Sequence, residues 1–434
     1  GFFANNGYVD QRIIPFDING DGLNDLVQAN DLTNTKAVWI NNGSGWYNDS
    51  NNWSIPTYFG EYYDQGVRLT DINGDGFVDI VKSYIGQGEP GNPEYGVWLN
   101  NASKNYLMKN ITTEFGGTIV VDYKKSTYLD NRGNDSLSDL GFNIWVVSNE
   151  TRNNGISGVV NTNKTNVYNY SAGLYSYNFR EFRGFNFSQE NRDGKIIKHY
   201  FHQDDGRKGK EYRTEIYSLN NNLFKRTLSN WSADYMGGYY IVNLLDQVSY
   251  DYDGFNIAPA VKKLSYRYDS YGNIISINNS GNLNQSGDER YEYYEYTQNT
   301  SGWIVDKVKR MYILNSDNST KFRESFYYYD NLGYGQQPNK GGLTKEDRIL
   351  SSSSNSTLRY SYNSYGNIIN QTDPNGNTQV FAFGIRDTTN TFPDKITNAK
   401  GHIENYYYNL GTGNILSLLD SNNNAVNYTY DEFG

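Results

Sequence analysis

Tyr266-Arg-Tyr-Asp-Ser-Tyr-Gly-Asn-Ile274 and Tyr360-Ser-Tyr-Asn-Ser-Tyr-Gly-Asn-Ile368 are one phrase written twice. The phrase reads as a β-hairpin. Tyr-x-Tyr puts two rings on one face of a strand, because successive side chains alternate. Asp or Asn followed three residues later by Gly supplies an Asx-type turn start and a residue that accepts positive φ. Asn-Ile then enters the return strand. Tyr327-Tyr-Tyr-Asp-Asn-Leu-Gly333 is a weaker copy, and Tyr406-Tyr-Tyr-Asn-Leu-Gly-Thr-Gly-Asn-Ile415 carries one extra residue. The chain stops inside another copy, Tyr428-Thr-Tyr-Asp-Glu-Phe-Gly434. The pairs Tyr266 and Tyr268, Tyr360 and Tyr362, and Tyr428 and Tyr430 are expected in strands. Their rings should form a ladder with hydroxyls facing water. Residues 246–434 then make a strip of hairpins. Its unfinished last copy, ending at Gly434, is expected to pair with a neighbouring chain or with further residues of a longer protein.

A different repeat opens the chain. Asp17-Ile-Asn-Gly-Asp-Gly-Leu-Asn-Asp25 returns as Asp71-Ile-Asn-Gly-Asp-Gly-Phe-Val-Asp79. Side-chain oxygens stand at relative positions 1, 3, 5 and 9: Asp17, Asn19, Asp21 and Asp25, then Asp71, Asn73, Asp75 and Asp79. Gly occupies position 6, and Leu23 and Phe77 would offer backbone carbonyls at position 7. Converging oxygens of this kind suit a hard cation, and Ca²⁺ is the expected ion. Without one, carboxylates at short range repel. No Glu follows at position 12, so these are not EF-hands. Each loop leads into an apolar strand, Leu26-Val27 or Ile80-Val81. An aromatic strand ending in an Asn pair follows, Val38 to Asn42 or Val97 to Asn101. Such units suit propeller blades over residues 1–105. Two blades cannot close a propeller, so further blades lie upstream or these two pack on the next region. Residues 106–245 show no repeat, and Gly117–Tyr123, Phe142–Val147 and Phe179–Phe187 read as strands. Arg180 and Arg183 are expected to lie on neighbouring rings.

Composition narrows the function. The 434 residues carry a formal charge of −10, no cysteine, and 42 Tyr against 20 Phe. The acidic balance argues against nucleic acid as a partner, and no apolar run reaches membrane-spanning length. The chain begins at Gly1 without a signal peptide, so it reads as a processed product or part of a longer protein. Asn-x-Ser/Thr triplets at Asn42, Asn101, Asn230, Asn318 and elsewhere are candidate glycan acceptors. Exposed rings offer a route to sugar binding. Catalysis finds little support. His199 and His202 fall on opposite faces of a strand. Asp204-Asp205 and Glu292 with Glu295 mark no cleft. There is no Gly-x-Ser-x-Gly elbow or phosphate-cradling loop.

Tyr-x-Tyr-Asp-x-x-Gly-Asn resembles the YD repeat of Rhs proteins, teneurins and the B and C components of bacterial Tc toxins. The Asp loops resemble FG-GAP or VCBS-type blades. Tyr177-Asn-Phe-Arg-Glu-Phe-Arg-Gly-Phe185 and Lys208-Gly-Lys-Glu-Tyr-Arg-Thr-Glu-Ile-Tyr217 are similar to stretches between blades and YD repeats in Tc toxin B components. The resemblance implies an all-β chain: propeller-like blades, a β-rich middle region, and a YD hairpin strip of the kind that spirals into a hollow shell. We expect a non-enzymatic, calcium-stabilised scaffold at the cell surface or outside the cell, built for display or self-assembly. Its partners are other copies of itself or the rest of a longer shell. Part of a toxin-encapsulating shell and a carbohydrate-binding adhesin are the alternatives.

Overall fold

The computed structural model describes every residue except 1–3, 6–8, 11, 61–64, 85–93, 103–106, 114–115, 134–135, 156–162, 253, 255–257 and 431–434. Among the described residues the elements are strands, apart from one short 3₁₀ turn at Ser126–Tyr128. The expected all-β class is what the chain adopts. It divides into two compact units, residues 1–203 and 204–434.

The first unit opens with the two Asp-loop repeats as small antiparallel sheets. One holds Ile13–Phe16, Asp25–Asn30, Thr35–Asn41 and Trp46–Asn48. The other holds Val67–Thr70, Asp79–Tyr84 and Glu94–Trp98. Asp25–Asn30 is buried along its whole length. Phe16, Ile18, Val27, Val38, Ile40, Ile55 and Phe59 of the first repeat form a hydrophobic core with Ile80 of the second, and Val67, Leu69, Val78 and Trp98 pack against it. Six strands follow as an antiparallel meander: Asn110–Thr112, Thr118–Lys125, Trp145–Asn153, Lys164–Ser176, Glu181–Arg192 and Lys195–Phe201. Arg183 does lie over the Phe179 ring, 5.2 Å from its centre.

The second unit is a longer meander. Sixteen strands, from Glu211–Ser218 to Ala425–Asn427, pair antiparallel in sequence order. Residues directly opposite each other share a face. Tyr266 lies opposite Ile277 and Ile277 opposite Glu292. Tyr294, Tyr327 and Tyr360 continue that face, opposite Met311, Glu346 and Gln371. The other face carries charge pairs. Arg310 bonds Glu295 at 2.8 Å and Glu324 at 2.6 Å, joining three neighbouring strands, and Lys321 adds 2.8 Å to Glu324. Asp246 pairs with Lys263 at 2.9 Å on the same face.

The repeated phrase works through backbone groups. Asp269 Oδ1 accepts the amides of Tyr271 and Asn273, each at 2.9 Å, and Gly272 closes the turn at φ +87°. Asn363 does the same for Tyr365 and Asn367 around Gly366, at φ +88°. Asp373, Asn398 and Asp420 repeat the capture two and four residues on. The second tyrosine of a Tyr-x-Tyr pair then reaches back one hairpin, in the repeated phrase and at Tyr294-Glu-Tyr296 alike. Tyr268 donates its hydroxyl to Leu244 O at 2.9 Å, Tyr296 to Ile274 O at 2.8 Å, Tyr329 to Val308 O at 2.8 Å and Tyr362 to Leu343 O at 2.8 Å.

Three expectations change. The second-position hydroxyls bond carbonyls instead of facing water. Tyr428 and Tyr430 lie just beyond the last strand, Ala425–Asn427, although the Tyr428 amide still bonds Leu416 O and the Tyr430 hydroxyl Ile415 O. Gly434 lies outside the described residues. The weaker copy folds differently. Asp330 and Asn331 take positive φ, and the Asp330 carboxylate collects four amides from Asn339 to Gly342 at 2.7–3.0 Å.

Two outcomes follow from the tyrosines. Tyr362→Phe removes one hydroxyl bond and is expected to cost about 1 kcal/mol, read as faster amide exchange in Leu343–Ser351 and Ser354–Tyr362; Tyr360→Phe should leave that exchange unchanged. Burial pushes the phenols of Tyr294, Tyr329 and Tyr406 up to about 12, helped at Tyr294 by Glu292 and at Tyr406 by Glu404. These phenols hold their protons more tightly folded than unfolded, where the ordinary value is near 10. Their contribution is therefore complete below pH about 10 and lost as pH rises to about 12. Ultraviolet titration should show a late phenolate wave coincident with loss of strand signal. Full phenolate formation by pH 11 with the sheet intact would overturn this.

Candidate metal centre and blade junction

Both Asp loops fold alike. The position-1 carboxylate caps the turn: Asp17 accepts the amides of Gly20 at 2.6 Å, Asp21 at 3.0 Å and Gly22 at 2.8 Å. Asp71 accepts Asp75 N at 2.9 Å and Gly76 N at 2.7 Å. The position-3 Asn bridges within the loop. Asn19 Oδ1 accepts Asp21 N and Asn19 Nδ2 donates to Asp21 Oδ2, and Asn73 makes the same pair of bonds with Asp75. The position-5 carboxylate accepts the position-7 amide, Leu23 N at 2.8 Å or Phe77 N at 2.9 Å.

The position-9 carboxylates are fully buried and tie each loop to its blade. Asp25 accepts Ile18 N at 3.0 Å and Asn41 N at 2.8 Å. Asp79 accepts Ile72 N at 2.9 Å and Asn100 N at 2.8 Å. Each Asn pair noted in the sequence begins with the residue whose amide this carboxylate holds. Burial raises the Asp25 carboxyl above its ordinary value, the Asn41 and Ile18 amides oppose that, and Asp21 and Asp17 add repulsion in the raising direction. Three carboxylates of the first loop thus lie close enough together for Asp21 and Asp17 to act on Asp25. The second loop differs, because Lys125 Nζ lies 3.7 Å from Asp75 Oδ2.

The donor set is all oxygen. An ionised carboxylate offers about four acceptor sites, so Asp17, Asp21 and Asp25 keep capacity beyond the amides they hold. Among the described residues no three carboxylate, imidazole or thiol groups gather as a ready ligand cluster. The oxygens are turned to amides, and the donor chemistry is what fits a hard cation.

The loops also join the parts of this unit. A Cβ on Gly20 would collide with the Phe77 ring, so the first loop lies directly on position 7 of the second. Asn100 Nδ2 donates to Ile18 O at 2.8 Å across the same junction. The second loop meets the six-stranded meander in turn. Thr127 Oγ1 donates to Gly74 O at 2.5 Å and Asn143 Nδ2 to Asp75 O at 3.2 Å. Cβ atoms on Gly74 and Gly76 would stand 2.9 and 2.6 Å from Thr127 and Asn143. Sequence reasoning marked only the position-6 glycine of each loop, Gly76 here, as part of the loop spacing. The role of Gly74 and Gly76 as bare backbone contacts needed the partner residues, which lie far along the chain.

Residues 54–213 match the family described as the insecticide toxin TcdB middle/N-terminal region, and residues 17–81 match the FG-GAP-like repeat. No curated protein matches the chain. Among solved structures, TcdB2-TccC3 without its hypervariable C-terminal region overlays 98% of this chain at TM-score 0.64 and 13% identity. The Photorhabdus luminescens Tc holotoxin pore carrying TccC3-D651A overlays 98% at TM-score 0.61 and 12% identity. The chain spans 28% and 29% of the length of those two chains. In the order of its parts and in its fold, this chain is therefore similar to the YD-repeat shell proteins of the Tc toxins, with FG-GAP-like repeats leading into a TcdB-type middle region.

Proposed function

We propose that this chain is a non-enzymatic wall segment of a Tc-type enclosing shell that works outside the cell. The observation that carries the reading is the sixteen-strand meander, paired in sequence order apart from one small inserted ribbon of Asp234–Tyr235 and Tyr240–Ile241, in a chain that overlays on TcdB2-TccC3 over 98% of its length. A meander in which each strand bonds only its sequence neighbours grows at its edge without rearranging the strands already laid down. This chain spans 28% of the length of the chain it overlays, so on this reading further residues of a longer protein complete the wall. The last strand, Ala425–Asn427, is exposed throughout and pairs with Ile415–Leu419 on one side, which also favours pairing with a second copy as the competing reading. Electron microscopy of the complete gene product decides between them. A hollow closed particle with this meander in its wall is expected; fibres or open stacks of copies would overturn the shell reading.

Calcium belongs to the same proposal. Asp17, Asn19, Asp21 and Asp25, with the Leu23 carbonyl, would hold one Ca²⁺, and Asp71, Asn73, Asp75 and Asp79, with the Phe77 carbonyl, another. The ion would relieve the repulsion at Asp25 and pin each blade corner. An ion present at a hundred times its dissociation constant stabilises the folded state by about 2.7 kcal/mol. Millimolar Ca²⁺ should therefore raise the temperature at which the first unit melts, chelator should reverse the shift, and Asp17→Asn combined with Asp71→Asn should remove it. Identical melting with calcium and with chelator would end the calcium reading and leave the amide bonds as the loops' whole function.

A further inference from the structure

The Tyr327 copy of the phrase leaves the tight turn, and its longer connection opens a cleft beside the next phrase. Residues 330–342 join Lys321–Tyr329 to Leu343–Ser351, while residues 363–367 join Ser354–Tyr362 to Ile368–Thr372. Connections above about 12 residues are uncommon in compact domains and are frequently functional. These two connections end neighbouring hairpins on one rim of the sheet. Between them lies a space of about 700 Å³, a size that suits a small ligand. Part of the lining is committed to the fold. Asp330 holds its four amides, Thr344 Oγ1 accepts Asn331 N and donates to Tyr328 O, and the Tyr362 hydroxyl bonds Leu343 O. The rest is not. Asn331, Asn339 and Lys340 donate only their backbone amides. Asn363 uses Oδ1 for Tyr365 N and Asn367 N. Asn363 Nδ2 and the hydroxyls of Ser364 and Tyr365 have no partner among the described residues. The turn around Gly272 has no such surplus, because Asp269 Oδ2 takes Asn273 Nδ2 at 2.9 Å and Gln298 Nε2 at 3.3 Å.

We propose that this cleft binds a neutral saccharide. A primary amide is donor and acceptor at once, as is each sugar hydroxyl. Asn331 and Asn339 are uncommitted at both ends of their amides, and Asn363 adds a donor. Tyr365 is the third tyrosine of its phrase and stands outside the Tyr-x-Tyr pair. It is 69% exposed, so it offers an apolar ring face to the C–H face of a pyranose. The charge of the lining selects the ligand. Lys340 is its one cation and Asp330 its one carboxylate among the described residues, so nothing concentrates an anion there. A peptide fits less well. Both connections return into their own sheet and present no open strand edge, and among the described residues Tyr362 and Tyr365 supply the cleft's only rings. Asn331 sits at φ +60°, where Asn is tolerated and a branched residue is not. Exposed rings alone, as read from the sequence, mark no such place, because the uncommitted amides come from a segment that only the departure from the tight turn brings to Tyr365. The inference concerns this rim and does not rest on the enclosing-shell reading.

The experiment is saturation-transfer NMR on the full chain with a panel of neutral tetrasaccharides of glucose, mannose, galactose and N-acetylglucosamine. At least one member should bind, with transfer concentrated on its ring C–H protons. Tyr365→Ala should raise the Kd of that member about tenfold, the loss of one stacked ring, and Tyr365→Trp should retain binding. Asn331→Gly keeps a residue that accepts positive φ and deletes one amide, so Kd should rise about fivefold, one hydrogen bond, with melting unchanged. Tyr271→Ala removes an exposed ring at the same place in a phrase without the cleft and should leave Kd unchanged. Absence of binding by every member at millimolar concentration overturns the proposal. So does binding that Tyr365→Ala leaves intact, or that Tyr271→Ala weakens equally. Displacement of the sugar by an equal concentration of inorganic phosphate also overturns it, because the site would then belong to an anion held by Lys340.

Discussion

The structure depends on side-chain oxygens that capture backbone amides at the ends of strands. A tight turn leaves several N–H groups pointing inward without partners, and an unpaired buried N–H costs about as much as a lost hydrogen bond. Asp17, Asp71, Asp269, Asn363, Asp373 and Asp420 each collect two or more such amides within five residues of themselves. The two repeats of this chain, unlike in sequence and place, solve one problem with one device. In the blades the device is extended by a buried second carboxylate, Asp25 or Asp79, that joins the loop to a distant strand. In the hairpin strip it is extended by a tyrosine hydroxyl that takes a carbonyl of the hairpin before it.

This division matters because the two regions bury apolar surface differently. The clustered hydrophobic core among the described residues lies in the blades. Along the long meander most strand residues are half-buried on both faces. A sheet without a deep core cannot rely on burial to fix register, and a slip by one residue would exchange its faces. Register there is set locally: by turns that close at a fixed offset, by hydroxyl-to-carbonyl bonds between successive hairpins, and by cross-strand charge such as Arg310 between Glu295 and Glu324. Stability of that kind accumulates strand by strand.

Much of this was legible in the sequence because the devices are local. Tyr-x-Tyr, Asp-x-x-Gly and the spaced Asp loop each specify a geometry within ten residues, so the hairpins, their turns and the blade repeat could be read directly. What could not be read depends on distance along the chain. The hydroxyl acceptors lie about twenty residues upstream and are backbone atoms, which leave no mark on sequence. The contacts of Gly74 and Gly76 with Thr127 and Asn143 cross more than fifty residues. The Tyr327 copy keeps its hairpin and its Tyr329 bond but replaces the tight turn by a longer connection, because its Asp330 takes positive φ and holds four amides in the segment 339–342. At the last copy the strand ends at Asn427, and Tyr430 keeps its carbonyl bond without strand pairing. The hydroxyl bond is therefore separable from the ladder.

The two Asp loops finally show how one motif acquires two electrostatic characters from its surroundings. In the second loop an ammonium from the adjoining meander, Lys125, approaches Asp75, and both groups are largely shielded from water. Part of the loop's negative charge is answered by the chain itself, so docking of blade to meander and neutralisation of the loop are one event. In the first loop no described lysine or arginine takes that place, and Asp25 feels Asp21 and Asp17 directly. Coulomb repulsion in a partly buried site is screened far less than at the surface. The same four side chains thus carry a different charge balance in the two loops, set by where Lys125 of the adjoining meander lies.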